Sequence, residues 1–176
     1  LAGNLFLINF QKSLPRRKNK KIILLMENLK IYEMTMKTEK YKILSKFIKD
    51  LSSETPDIET YLFVKDRIAK YQLGIDINSK ALKNKMVEIN TKFKFEDREE
   101  TKKKSYFEII YTTIVKIDEG VEDKKELEKI ILCDVQIAIY PHMEKTLLDL
   151  LHNSGFPGVK FEKKVDFENL YNQKFN

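Results

Sequence analysis

The sequence predicts an α+β fold: a four-stranded antiparallel sheet followed by C-terminal helices packed on one face. Three observations point there. Four runs between residues 41 and 117 are apolar at alternate positions or rich in β-branched and aromatic residues, the period of strands. Beyond residue 122 the apolar spacing changes to three and four, the period of helices. Of only five glycines and four prolines in 176 residues, Gly155, Pro157 and Gly158 fall together just past the last apolar helical stripe.

The first run, Tyr41 to Leu51 (YKILSKFIKDL), alternates roughly between apolar and basic residues, as a strand with one wet face does. Pro56 closes it, because proline cannot donate to a ladder and restricts the residue before it. Residues 57–70 form a connection long enough to cross over another element, with no structure assigned. Tyr71, Leu73, Ile75 and Ile77 then alternate with Gln72, Gly74, Asp76 and Asn78, and Asn78–Lys80 supplies turn chemistry. Val87, Ile89, Thr91, Phe93 and Phe95 alternate with charged and polar residues in the cleanest strand pattern of the chain. EDREETKKK reads as a hairpin connection to the fourth run, Tyr106 to Ile117. Short connections after the first strand predict a largely meandering antiparallel sheet.

From Glu122 to Ala138, the spacing of Leu127, Ile130, Ile131 and Val135 predicts a helix, whose end in VQIAIY could equally be extended. Pro141 is placed in the first turn of a second helix, where its missing N–H costs nothing. Met143, Leu147, Leu148, Leu150 and Leu151 form that helix's apolar stripe, Gly155 its C-cap, and Pro157 blocks continuation.

Domain organisation follows from charge. The net charge is +6, and residues 1–25 carry Lys12, Arg16, Arg17, Lys18, Lys20 and Lys21 with no acid, so the remainder is neutral. Residues 1–40 are expected to be a basic, polar, disordered extension, and 41–176 the folded domain. Because the chain begins at Leu1, the true start is expected at Met26, or else at Met34 or Met36. The apolar patch Leu5–Phe10 precedes the charges, the reverse of a signal peptide. No apolar run approaches membrane-spanning length, so a soluble cytoplasmic protein is expected.

The residues offer little to catalysis. His142 and His152 lie ten apart, on different faces of a helical pattern, with no carboxylate or cysteine at metal-ligand spacing. There is no phosphate-binding glycine loop and no nucleophile elbow. The one cysteine, Cys133, sits among apolar neighbours as a core residue and excludes a disulfide framework. No enzyme activity, cofactor or metal is expected. The cluster Arg16–Lys21 could attract RNA or anionic lipid, but it lacks the interleaved aromatics of a single-strand platform and reads as a solvated tail.

Two stretches resemble the SecB family of protein-export chaperones. One is KDLSSETP, with Lys49, Asp50, Leu51, Ser52, Glu54 and Pro56 at the family's first-strand motif. The other is the proline-opened helix ending in GFPGVKFEKKVDFENLY, with Pro141, Gly155, Phe156, Pro157, Phe167, Leu170 and Tyr171 in register. The resemblance implies a SecB-like fold assembled as a homotetramer, a dimer of dimers. It also implies an ATP-independent holdase that binds unfolded secretory precursors and passes them to the SecA motor. Asp50, Glu54 and Glu108 match acidic positions that receive SecA's basic tail. Tyr71, Leu73 and Ile75 match client-groove positions, and Phe167, Leu170 and Tyr171 a C-terminal segment expected to add contacts. The chain departs from the family in lacking the Cys-Pro dipeptide before the final helices and in a neutral, lysine-rich body. PDIETYLFVKDR also stands where a proline- and aromatic-rich loop is usual. The alternatives are a SecB-like chaperone dedicated to one client, such as an antitoxin, and a basic nucleic-acid-binding module.

Overall fold

A computed structural model describes residues 39–99 and 103–174. The expectations for the basic extension, its cluster Arg16–Lys21 and a start at Met26 lie outside the described residues. The elements run β1 (Tyr41–Glu54), α1 (Ile58–Arg67), a 3-10 turn (Ile68–Lys70), β2 (Gln72–Ala81), β3 (Met86–Glu96) and β4 (Tyr106–Ile117). A helical run follows, of α2 (Lys124–Lys129), a π-helical segment (Ile130–Asp134) and α3 (Val135–Asn153), and the last helix is α4 (Phe167–Lys174).

The sheet is antiparallel throughout, in the order β1-β4-β3-β2. Strands β2, β3 and β4 form the predicted meander, while β1 lies at the far edge, so the connection through α1 crosses from one edge to the other. The alternation of β3 and β4 is legible as burial. Val87, Ile89, Phe93, Phe95, Phe107, Ile109 and Val115 are all buried on one face, and Val135, Ile139, Met143, Leu147 and Leu151 of α3 are buried with them. Cys133 is also fully buried, and burial pushes its thiol pKa up.

The rough alternation of β1 has a cause. Its register against β4 slips between Ile43 and Ser45 and again between Ile48 and Asp50. Each bulge inserts one residue and so restores apolar side chains to the helix-covered face. Ile43, Ile48 and Leu51 thus sit opposite Val115, Tyr111 and Ile109.

Two expectations are corrected, and one unassigned connection gains a helix. The turn after β2 is not at Asn78–Lys80, which remain paired with β3 as far as Ala81 opposite Val87. It lies at Asn84 and Lys85, both with positive φ (59° and 54°), the conformation a tight hairpin needs and asparagine tolerates. The connection 57–70 contains α1, whose N-cap Asp57 accepts from Thr60 N at 2.7 Å. Pro141 lies inside α3 instead of opening a second helix. It lies on the exposed side of the helix, as do Ile137 and Ala138 a turn earlier, where a lost backbone bond costs less than in the core.

In the π segment, Val135 N–H reaches back to the Ile130 carbonyl. The Ile131 carbonyl accepts from Gln136 Nε2 at 2.9 Å, and Gln136 Oε1 accepts from Thr91 on β3 at 2.8 Å. One buried glutamine therefore satisfies the widened helix and ties it to the sheet.

Gly155 ends α3 with φ of 96°. Its N–H donates to the His152 carbonyl and that of Phe156 to Leu151, the paired bonds of a Schellman cap. Tyr61 of α1 lies over it, donating to the Gly155 carbonyl at 3.0 Å, and a Cβ there would meet the Tyr61 ring at 2.8 Å. Gly155→Ala should therefore destabilise by roughly 2–4 kcal/mol, summing left-handed strain and the displaced ring. Urea unfolding of the variant checks this.

Candidate functional site

Where β2 starts, the sheet edge and the segment after Gly155 enclose a cleft of about 680 Å³. Tyr71, Leu73 and Phe95 line it from the sheet side, Ile68 and Ala69 from the 3-10 turn, and Val159, Phe161 and Val165 from the C-terminal segment. Phe161 stands edge-on to Phe95 with ring centroids 5.7 Å apart. The lining segment is held at its root, where His152 Nε2 bonds the Val159 carbonyl at 3.0 Å and Phe156 is buried between Tyr61 and Phe107. The accessible part of the wall is Ile68, Leu73, Phe161 and Val165, set over the buried Tyr71, Phe95 and Val159.

Tyr71 serves the base more than the wall. It is buried, its hydroxyl donates to the Ser105 carbonyl and accepts from Ser105 N, and burial raises its pKa. Nearby, Arg67 at the end of α1 bonds Asp97 (2.8 Å) and Glu99 (2.6 Å), fastening the crossover helix to the end of β3. That guanidinium, aided by Glu99 N–H, holds the Asp97 carboxyl below its ordinary pKa.

The expected client residues divide. Tyr71 and Leu73 line the cleft, and Ile75 follows on the same face, half-buried opposite Phe93. Phe167, Leu170 and Tyr171 lie on α4, which packs against the π segment. There Phe167 is buried, edge-on to Tyr140, while Leu170 is exposed and the Tyr171 hydroxyl donates to the Lys125 carbonyl at 3.2 Å. The sequence reading misses Phe95, Val159, Phe161 and Val165 as lining residues. The signal available is the alternation of Val159 and Phe161 straight after the Gly-Phe-Pro stop.

The face of the sheet away from the helices is open, and the three acids lie together on it. Asp50 sits opposite Ile110, Glu54 opposite Tyr106, and Ser52 between them opposite Glu108. Asp50 accepts from the Ser52 hydroxyl at 2.6 Å. Glu108 is engaged by two lysines of β3, Lys92 at 3.0 Å and Lys94 at 3.7 Å.

A third surface is apolar. Leu44, Phe47, Ile48 and Leu51 of edge strand β1 are 44–48% exposed, and the cross-strand register places Phe47 and Ile48 on opposite faces of the sheet. Ile137, on the outer side of α3, is half exposed too. Among the described residues, no group of three or more His, Cys, Asp or Glu side chains could hold a metal ion. No helix among them is long and apolar enough to cross a membrane.

Comparison with known proteins agrees with this architecture. The family model described as preprotein translocase subunit SecB matches residues 34–176. A Pelagibacter ubique protein assigned as a protein-export protein SecB is 62% identical over 139 residues, covering 79% of this chain and 99% of that protein. The protein-export protein SecB of Parvibaculum lavamentivorans is 25% identical over 133 residues, covering 76% of this chain and 77% of its own. Among solved structures, a Mycobacterium tuberculosis SecB-like chaperone in complex with an antitoxin peptide shares the fold. It has a TM-score of 0.51 and 14% identity, over 71% of this chain and 91% of that one. On the extent of the family match and the identity to the Pelagibacter protein, the chain belongs to the SecB family, the chaperones of protein export.

Proposed function

We propose that the protein is an ATP-independent holdase that binds unfolded secretory precursors in the cleft and delivers them to SecA, as a cytoplasmic homotetramer. The observation that carries this reading is the cleft itself, open along one side and walled by Leu73, Phe95, Val159 and Phe161. An unfolded chain exposes apolar side chains in no fixed order. A partner that must accept many such chains needs an apolar wall of tolerant geometry instead of a closed pocket. The test is suppression of aggregation of a diluted, unfolded precursor at stoichiometric chaperone without nucleotide. Absence of suppression overturns the reading.

Assembly is supported by β1. An edge strand with large apolar side chains exposed on both faces is an aggregation hazard unless something covers it, and a second copy of the same strand is a self-complementary cover. Solution mass should be that of a tetramer, and a monomeric mass at micromolar concentration would contradict it.

Asp50, Glu54 and Glu108 suit a surface that steers a basic segment of SecA, since exposed carboxylates clustered on one rigid face act mainly on encounter and orientation. Asp50→Lys with Glu108→Lys should weaken SecA binding roughly tenfold or more while leaving client holding intact. Binding measured by surface plasmon resonance, beside the aggregation assay, checks both halves. A chaperone dedicated to one client is the second reading, favoured by the antitoxin peptide bound to the Mycobacterium tuberculosis structure. A panel of unrelated precursors separates the two: a general holdase suppresses aggregation of several, a dedicated one of none but its own client.

A further inference from the structure

We propose that Lys92 and Lys94 compete with the cationic partner for Glu108, so that partner binding requires the two lysines to swing from Glu108 toward the β2 side of the open face. The proposal deepens the reading of Asp50, Glu54 and Glu108 as the SecA-facing surface and rests on it.

Three observations carry it. First, the lysines reach different carboxylate oxygens, Lys92 at Oε1 and Lys94 at Oε2. The Glu108 side chain is only 23% exposed, so an incoming cation meets it already shared. Asp50, by contrast, accepts a neutral hydroxyl, and Glu54 has no ion pair among the described residues. The three acids are therefore unequal, and two of them are open to a partner at once.

Second, the lysines have another place to go. On their β2 side lies a depression of about 260 Å³, lined by Gly74, Ile75, Asp76, Lys92, Lys94 and Glu96. It exists because Gly74, directly opposite Lys94, has no side chain to fill it. Third, the depression is acidic at its rim: Asp76 stands opposite Lys92 in the strand register, accepting from the Asn78 amide at 3.1 Å, and Glu96 lies two residues beyond Lys94. A rotamer change can carry either ammonium toward these carboxylates, recovering part of the attraction given up at Glu108, and the part not recovered is the cost the partner must meet. The lysines thus lower the affinity of the face for weakly basic segments and yield to one with enough charge to displace them.

Binding of purified SecA at low ionic strength tests this with Lys92→Gln/Lys94→Gln, Lys92→Arg/Lys94→Arg, and the Gln pair combined with Glu108→Gln. The Gln pair should tighten binding roughly three- to tenfold, since the partner no longer has to break two partly exposed ion pairs. The Arg pair should leave affinity near wild type, and Glu108→Gln should erase the gain. Circular dichroism and urea unfolding of each variant separate the gain from a loosened fold. Measurable wild-type binding that the Gln pair leaves unchanged or weakens overturns the competitor role while the face reading stands. No SecA binding by any variant overturns the face reading, and this proposal with it.

Discussion

Phe156→Ala should lower the unfolding free energy by about 3–5 kcal/mol, the range for deleting a buried aromatic ring. Phe156 is 3% exposed, and its ring centroid lies 5.4 Å from those of both Tyr61 and Phe107. One side chain therefore joins the crossover helix, the central strand β4 and the end of α3. The Schellman cap at Gly155 fixes its direction, so neighbours cannot easily collapse into the space it leaves. In urea, the midpoint should fall with little change in slope. Pro157→Ala, one residue on and exposed, should stay within about 0.5 kcal/mol of the parent.

Leu73→Asp combined with Phe161→Asp should reduce affinity for unfolded precursors at least tenfold. Both side chains line the cleft, and both are half-buried, so a client side chain laid against them loses apolar cover and meets charge instead. Burying a large apolar side chain completely is worth about 1.5–3 kcal/mol, which sets the upper limit for each position, and a carboxylate facing the client adds a desolvation cost. The fold should suffer less than from Phe156→Ala, because neither position is fully enclosed. Circular dichroism and unfolding curves separate lost binding from lost structure, and Ile58→Asp at the exposed start of α1, outside the cleft lining, serves as a control.

The sheet is legible in the sequence where one face is covered. Val87 to Phe95 alternates because helices bury one side and water reaches the other, whereas Tyr106 to Ile117 is legible through its β-branched and aromatic residues, with Ile110 and Ile114 apolar on the open face as well. β1 is harder to read, since two bulges interrupt its period and its apolar residues sit on both faces. The end of β2 is obscured because Asn78 and Ser79 are turn-like by composition, yet pairing with β3 holds them extended. α1 hides although Asp57 is an N-cap three residues before Thr60; its outward apolar residues, Ile58 and Leu62, blur any stripe. Pro141 departs from the commonest helical position of proline, because burial on the opposite side of the helix overrides that preference.

The site is half legible. Asp50, Glu54 and Glu108 come together on the open face because an antiparallel register places Ser52 opposite Glu108, something no local pattern contains. Their electrostatic setting shows in the sequence only as a lysine-rich body; which acid the lysines engage depends on cross-strand neighbours. More than half of the cleft's lining comes from residues 158–165, where the short alternation of Val159 and Phe161 gives no hint that it lies over Phe95.

The cleft's role is tested most directly by calorimetric titration of an unfolded secretory precursor into the wild-type protein and the Leu73→Asp/Phe161→Asp variant at several temperatures. Apolar burial gives a negative heat-capacity change on binding. Wild type should bind without nucleotide and with that negative slope, and the cleft variant should lose at least tenfold in affinity together with most of the slope. Undiminished binding by a folded cleft variant, with an unchanged heat-capacity change, would contradict the assignment of the cleft as the client site.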